Sequence, residues 1–319
     1  AHAIKRDCCE RIGRKIAGDT SRVFTALVNA KGAYNMLEEK LELVVGGVFY
    51  GSIIVFALLE RVWPRRQDAY SFLTRWTSNI ALLLIELGLV WLVLPAGLVA
   101  LAYLAQTNGW GLFNNLSLPE WPVIIGSVLL LDLMKYGEHR LLHQIPLLWR
   151  MHVIHHADLD MDFTTTFRHH PLEVAFSLMV SAAATVLLGL PPMSLLLFSA
   201  LAAVVTTVSH ANIRWNSTLD RVLRTVFMTR DAHAVHHSAL REETDSNFSI
   251  VFIGWDRLFG TYRPAPAAGL DHYEIGVEYF RTARDLALDR VLTMPFRLPG
   301  PPAAPSGVLS TVSHPKAVS

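Results

Sequence analysis

The fold class this chain predicts is all-α: an integral membrane helical bundle of about four spanning helices, or two spans plus hairpins, carrying a cytoplasmic helical cap. Two observations carry that reading. Of the 319 residues 52% are hydrophobic and only 17% charged, with a mean hydropathy of +0.33, too apolar for an ordinary soluble domain. Eleven of the fourteen histidines fall between His139 and His237, in groups whose spacing suits helices, so the cap is expected to hold a histidine-rich dimetal site.

Residues 1–40 mix both charge signs with scattered apolar positions and read as a short lead-in without a signal-peptide pattern. Cys8 and Cys9 are adjacent, poorly placed to bridge each other, and read as inert. The membrane-embedded domain with its cap is assigned to 41–263. Its first spanning candidate runs from Leu43 to Leu59 and is closed by Glu60-Arg61 and Pro64-Arg65-Arg66. A second runs from Ile80 to Leu104, interrupted by Glu86 and Pro95. Arg61, Arg65, Arg66 and Arg75 precede it, whereas 106–121 has no Lys or Arg, so the positive-inside rule puts 61–78 in the cytoplasm. The third span, Pro122 to His143, carries Asp132, Tyr136, His139 and His143 on one stripe. A carboxylate in such a helix is costly, so Asp132 is expected either to support a ligand or orient Tyr136, or to pair with Lys135 or a neighbouring helix. Val174–Leu190 and Pro192–Val208, separated by Gly189-Leu190-Pro191-Pro192, read as a re-entrant or tilted hairpin. Arg214, Arg221, Arg224 and Arg230 then suit a cytoplasmic cap. Residues 264–298 form a C-terminal segment, amphipathic near Val277 to Leu292, and 299–319 a disordered tail.

Three histidine groups recur: His139-Arg-Leu-Leu-His143, His152-Val-Ile-His155-His156 and His233-Ala-Val-His236-His237. Residues three and four apart share a helix face, so each group can aim two or three imidazoles at one point. Neutral nitrogen donors bind divalent iron or zinc. Four ligands satisfy one tetrahedral ion, and eight or more imply two. His2, His272 and His314 read as ordinary structural or surface residues. Arg168 and Glu173 are either a plain ion pair at the start of the hairpin or support for the site. Trp255 to Thr261 reads as a packing turn.

These groups resemble the histidine boxes of the fatty acid hydroxylase superfamily, which includes sterol desaturases, sterol methyl oxidases and alkylglycerol monooxygenase. Arg168-His169-His170-Pro171-Leu172-Glu173, Ser209-His210-Ala211-Asn212-Ile213 and Gly254-Trp255-Asp256-Arg257-Leu258-Phe259-Gly260-Thr261 look like the motifs that accompany them, and the resemblance extends over 122–295. It implies a membrane-bound non-haem di-iron oxygenase that uses O2 to hydroxylate or desaturate a lipid, such as a sterol or a fatty acyl or ether lipid. It also implies His139, His143, His152, His155, His156, His233, His236 and His237 as ligands, with His210 as a ninth and His170, of the His-Pro motif, beside them. His169 has no counterpart in the family. Asn247-Phe248-Ser249 keeps the Asn of the family's Asn-Tyr-Gly but not its neighbours, and Asn247 is a candidate outer-shell ligand.

Trp, Phe and Leu side chains of spans three to five are expected to form an apolar slot for the lipid. No dinucleotide fingerprint, haem-attachment motif or cysteine cluster occurs in the sequence, so electrons must come from outside, from a ferredoxin with its reductase or a cytochrome b5-like partner. A net charge of +1, with the basic residues dispersed, gives no nucleic-acid signal. The bacterial inner membrane or the endoplasmic reticulum would suit such an enzyme. Two other readings are a histidine-rich membrane metal-binding or transport protein and a zinc-dependent membrane hydrolase. The second is weakened by Arg140, which removes His-Glu-x-x-His, and the first by histidines that gather at one membrane face.

Overall fold

The computed structural model describes residues 36–298; the lead-in as far as residue 35, with Cys8 and Cys9, and the tail 299–319 lie outside the described residues. Helix α1 spans Met36–Val62, α2 Phe72–Val93 and α3 Gly97–Thr107. Helices α4 and α5 follow over Glu120–Gln144 and Pro146–His156, and the hairpin consists of α6 over Pro171–Leu188 and α7 over Pro192–His210. Short helices then build the cap: α8 Ser217–Leu223, α9 Arg230–His236, α10 Arg241–Thr244, α11 Gly254–Leu258 and α12 Leu288–Arg297. Extended pairing among the described residues amounts to isolated bridges, such as Pro64 with Ile213 and Phe227 with Phe252.

Among the described residues four segments are long and apolar enough to cross a membrane: 40–62, 72–107, 171–188 and 192–210. The second is one apolar stretch broken near Pro95 into α2 and α3. The hairpin helices, expected to be short for a crossing, have 18 and 19 residues, which at 1.5 Å per residue is about the thickness of a bilayer core. The expected third span forms as α4, yet it is not among the four, because Asp132, Lys135, Glu138 and the histidines interrupt its apolar character. Gly189 ends α6 at φ 67, a left-handed conformation that favours glycine. The loop over 109–115 closes against that turn, with Leu112 N–H donating to Leu187 O at 3.1 Å.

Helix α4 packs against α5 and α7, α6 against α2 and α3, and α7 against α1 and α9. The C-terminal amphipathic element forms later than the sequence suggests, as α12, whose apolar face with Val291 and Met294 packs on Val153 and Ile154 of α5. Arg75 is a correction to the topology argument: it is fully buried, and its guanidinium grips Asp158 at 2.7 and 3.0 Å and Asp162 at 2.8 Å. It is a structural tie from α2 to the segment after α5 rather than a solvated charge in a loop. Arg65 likewise pairs with Asp231 at 3.0 Å, and Arg66 donates to the carbonyls of Tyr273 and Leu270. The loop after α1 is thereby bound to the cap, on the same side as the histidines.

Candidate metal centre

Helix α4 runs into α5 through a single residue. Ile145, at φ −94 and ψ 116, ends one helix and begins the other, and Pro146 at the first position of α5 keeps the residue before it out of the helical region. The chain therefore reverses within one residue, and the face of α4 with His139 and His143 closes on the face of α5 with His152, His155 and His156. Helix α9 brings His233 and His236, with His237 at its C-terminal cap, and His210 closes α7. All nine rings are buried.

Two groups result. His139, His143, His152, His156 and His236 offer one ligand atom each, all within 4.8 Å of one another, and so do His155, His210, His233 and His237. The groups adjoin, with His156 and His237 rings 4.7 Å apart and His155 and His237 rings also 4.7 Å apart. Nine of the ten histidines named from the sequence are brought together. His170 is not: its Nδ1 accepts from Leu172 N–H at 3.1 Å as the cap of α6, and its Nε2 lies 3.2 Å from Leu292 O. Both nitrogens are spent on the fold.

In five of the nine rings the nitrogen facing away from the group is held by an acceptor, as metal-binding imidazoles usually are; Nδ1 of His155, His233 and His237 has no such partner. Nδ1 of His139 donates to Phe248 O at 2.8 Å, that of His236 to Ser246 O at 2.7 Å and that of His210 to Thr206 O at 2.7 Å. Carboxylates serve the other two, Glu173 to His152 at 2.8 Å and Asp245 to His143 at 3.0 Å. With a proton on Nδ1, the Nε2 atom is a bare lone pair. Nε2 of His139 and Nε2 of His152 face each other at 3.1 Å, close enough to share a cation. Nε2 of His143, Nε2 of His236 and both nitrogens of His156 are buried without a hydrogen-bond partner, at a cost of about 1–3 kcal/mol each if nothing binds them. Burial first, then the neighbouring imidazoles, holds His155, His156, His233, His236 and His237 well below the ordinary imidazole range. Neutral nitrogens aimed at two points are a donor set that fits two metal ions.

A fatty acid hydroxylase family model matches residues 124–261, which contain all nine clustered histidines. Over that stretch the chain is similar to the fatty acid hydroxylase family. The family match is shorter than the 122–295 suggested by the motifs. The chain is 27% identical to an ornithine lipid hydroxylase of Rhizobium tropici over 79% of this chain and 78% of that protein. It is also 27% identical to the human alkylglycerol monooxygenase over 41% of this chain and 28% of that protein. A methylsterol monooxygenase of Arabidopsis thaliana is 26% identical over 47% of this chain and 58% of that protein. No solved structure matches.

The outer residues named from the sequence take several positions. Glu173 is bonded to His152 as above and makes no ion pair with Arg168. Arg168 instead donates to Ile154 O at 2.6 Å and Asn79 Oδ1 at 3.0 Å, which fixes the backbone just before His155. Asp132 pairs neither with Lys135 nor with a histidine and does not hold Tyr136; it accepts from Val251 N–H, Phe252 N–H and Trp255 Nε1. Tyr136 is bonded to Thr261 at 3.0 Å. Asn247, at φ 52, donates to Ala232 O and Arg263 O and accepts from Arg263 N–H. It reaches no histidine, yet it shapes the loop whose Ser246 and Phe248 carbonyls do. Asp256 of the expected packing turn grips the same loop through Phe248 N–H and Ser249 N–H.

Sequence reasoning missed Asp245 and the carbonyl row over 246–248; the only signal was their position shortly after the last histidine group. His169 stacks on His155 with ring centroids 5.0 Å apart and lies 3.6 Å from Glu86. Burial opposes its charge, but Glu173 and Glu86 outweigh that and raise it to about 9. A cavity of about 620 Å³ adjoins the centre, lined on one side by His139, His152, His155, His210 and His233 and elsewhere by α3, α4, α6 and α7. Its other walls are mostly Val, Leu, Ala, Ile250 and Phe198, with serines and threonines and the charged side chains of Lys135, Glu138 and Glu173 among them; the tryptophans expected in the slot do not line it.

Proposed function

We propose that this membrane protein is a non-haem di-iron hydroxylase that oxidises a lipid C–H bond with O2 and external electrons. One observation carries the reading: two adjoining groups of buried imidazoles form one wall of a largely apolar, lipid-sized cavity between helices that can cross a bilayer. The lipids named for its relatives, an ornithine lipid, an alkylglycerol and a methylsterol, differ in headgroup and backbone. The nine clustered histidines are the proposed ligands, and His170 is not one. Iron held there would supply the activation of dioxygen. The chain's own part is to fix the tautomers through Glu173, Asp245 and the carbonyls of Thr206, Ser246 and Phe248, to hold the lipid chain along Leu131, Leu178 and Phe198, and to keep bulk water away. A donor set of nine exceeds what a single-zinc hydrolase uses. We place the cap on the cytoplasmic side, where a ferredoxin or cytochrome b5-like donor can reach it.

The test is metal content together with product analysis. Purified protein is expected to hold two irons per chain, and cells expressing it to contain a lipid heavier by one oxygen or lighter by two hydrogens. His155→Ala and His236→Ala, one from each group, are each expected to lower the iron content and abolish the new lipid. One zinc per chain, or an unchanged lipid profile beside fully iron-loaded protein, would overturn the reading.

A further inference from the structure

Two charged side chains of α4, Lys135 and Glu138, line the cavity and belong to neither histidine group. Lys135 Nζ donates to Glu138 Oε2 at 3.0 Å and to Ser177 Oγ of α6 at 2.6 Å. Its side chain is 23% exposed, against 7% for Glu138, so the ammonium is the more accessible end of the pair. An ammonium has three donors; two are taken, and one is left for whatever enters.

The position of the trio relates it to the reaction. Lys135 lies four residues before His139, and Ser177 four residues after Glu173, the partner of His152. Such spacing is one helical turn, so two helices independently put Lys135 and Ser177 about one turn, ~6 Å along the axis, from the proposed metal centre, with Glu138 between Lys135 and His139. Beyond it the cavity continues past Leu131, Leu178 and Phe198. A lipid whose polar group stops at Lys135 therefore presents carbons near that group to the histidines and leaves its chain in the apolar part.

The pair also selects among polar groups. Lys135 and Glu138 neutralise one another, so a second carboxylate could reach the ammonium only by approaching the first in an apolar cavity, where like charges repel strongly. An uncharged group that both accepts and donates meets no such cost, accepting from the free N–H of Lys135 and donating its own O–H or N–H to the carboxylate of Glu138. We infer that Lys135, Glu138 and Ser177 are the recognition site for an uncharged hydrogen-bonding group of the lipid, a hydroxyl or a secondary amide, and select against free fatty acids. This rests on the lipid-oxidising reading above and names the class of lipid within it.

Binding of hexadecanol, its methyl ether and palmitate to the purified, iron-loaded protein in detergent, followed by native mass spectrometry, tests the site without turnover. Wild type is expected to bind hexadecanol about tenfold more tightly than the ether or palmitate, the equivalent of one hydrogen bond. In Lys135→Met the alcohol and the ether should bind alike. In Glu138→Gln the ammonium is left unbalanced, and the preference should turn towards palmitate. Wild type that binds the ether or palmitate as tightly as hexadecanol overturns the assignment, and that comparison does not depend on either variant folding. Wild type that binds none of the three overturns the lipid reading itself, and the assignment with it.

Discussion

At His139 and His152 two ring nitrogens face each other at 3.1 Å, and on the opposite sides of the rings Phe248 O and Glu173 hold the other nitrogens. Those outer partners set how basic the inner nitrogens are. Replacing Glu173 with Gln keeps an acceptor near His152 but removes its charge, and should weaken metal binding about 10- to 100-fold, read as faster loss of iron to a chelator with the helical content unchanged. The depressed histidines also make a statement about acid. In chelator-treated protein the unfolded chain takes up protons below about pH 6.5, while the folded chain, with His155, His156, His233, His236 and His237 held lower, does not. The stability they allow is therefore complete above that value and lost as the pH falls through it. Thermal unfolding of that sample between pH 8 and pH 5 should show a midpoint that drops on acidification; a rising midpoint would contradict the sign.

At the scale of elements, α5 does most of the positioning, since in eleven residues it supplies three of the nine rings. It is held at its start by the turn at Ile145, along its outer face by α12, and at its end by the buried cluster of Arg75, Asp158, Asp162 and Arg168. Breaking a buried pair costs more than the pair contributes, because the remaining charge stays buried without compensation. Asp158→Asn should therefore destabilise the protein by about 3–5 kcal/mol and loosen the α5 end of the site, seen as a lower unfolding midpoint together with partial loss of iron. A midpoint equal to that of wild type would show that the cluster is not what holds α5.

For the whole molecule, the relevant fact is that the metal centre and the apolar cavity share a wall, so oxidation and lipid binding can be separated by substitution on the opposite side. Ala202 of α7 lines the cavity away from the histidine groups. Ala202→Phe should cut kcat/KM for lipid about 10-fold or more by filling the space, with iron content unchanged. Loss of iron in that variant would mean that the cavity wall and the centre cannot be separated.

Much of this was legible in the chain itself. The i, i+3 and i, i+4 spacing of the three histidine groups, together with apolar runs too long for a soluble core, determined the helical class, the membrane setting and the residues that would converge, because helical periodicity and the cost of exposing apolar surface are local properties. Only the tertiary structure decided which imidazoles share a point. It divided them five and four, sent His170 to a helix cap, and gave the outer partners to Asp245 and to backbone carbonyls that have no signature in a sequence. It also turned Arg75 from a loop charge into a buried tie and joined Lys135 and Glu138 to Ser177, 42 residues away from Lys135. Those outcomes depend on how helices distant in sequence pack. A carbonyl or a paired charge acquires its role from the neighbour that packing supplies, and the order of residues along the chain does not contain that neighbour.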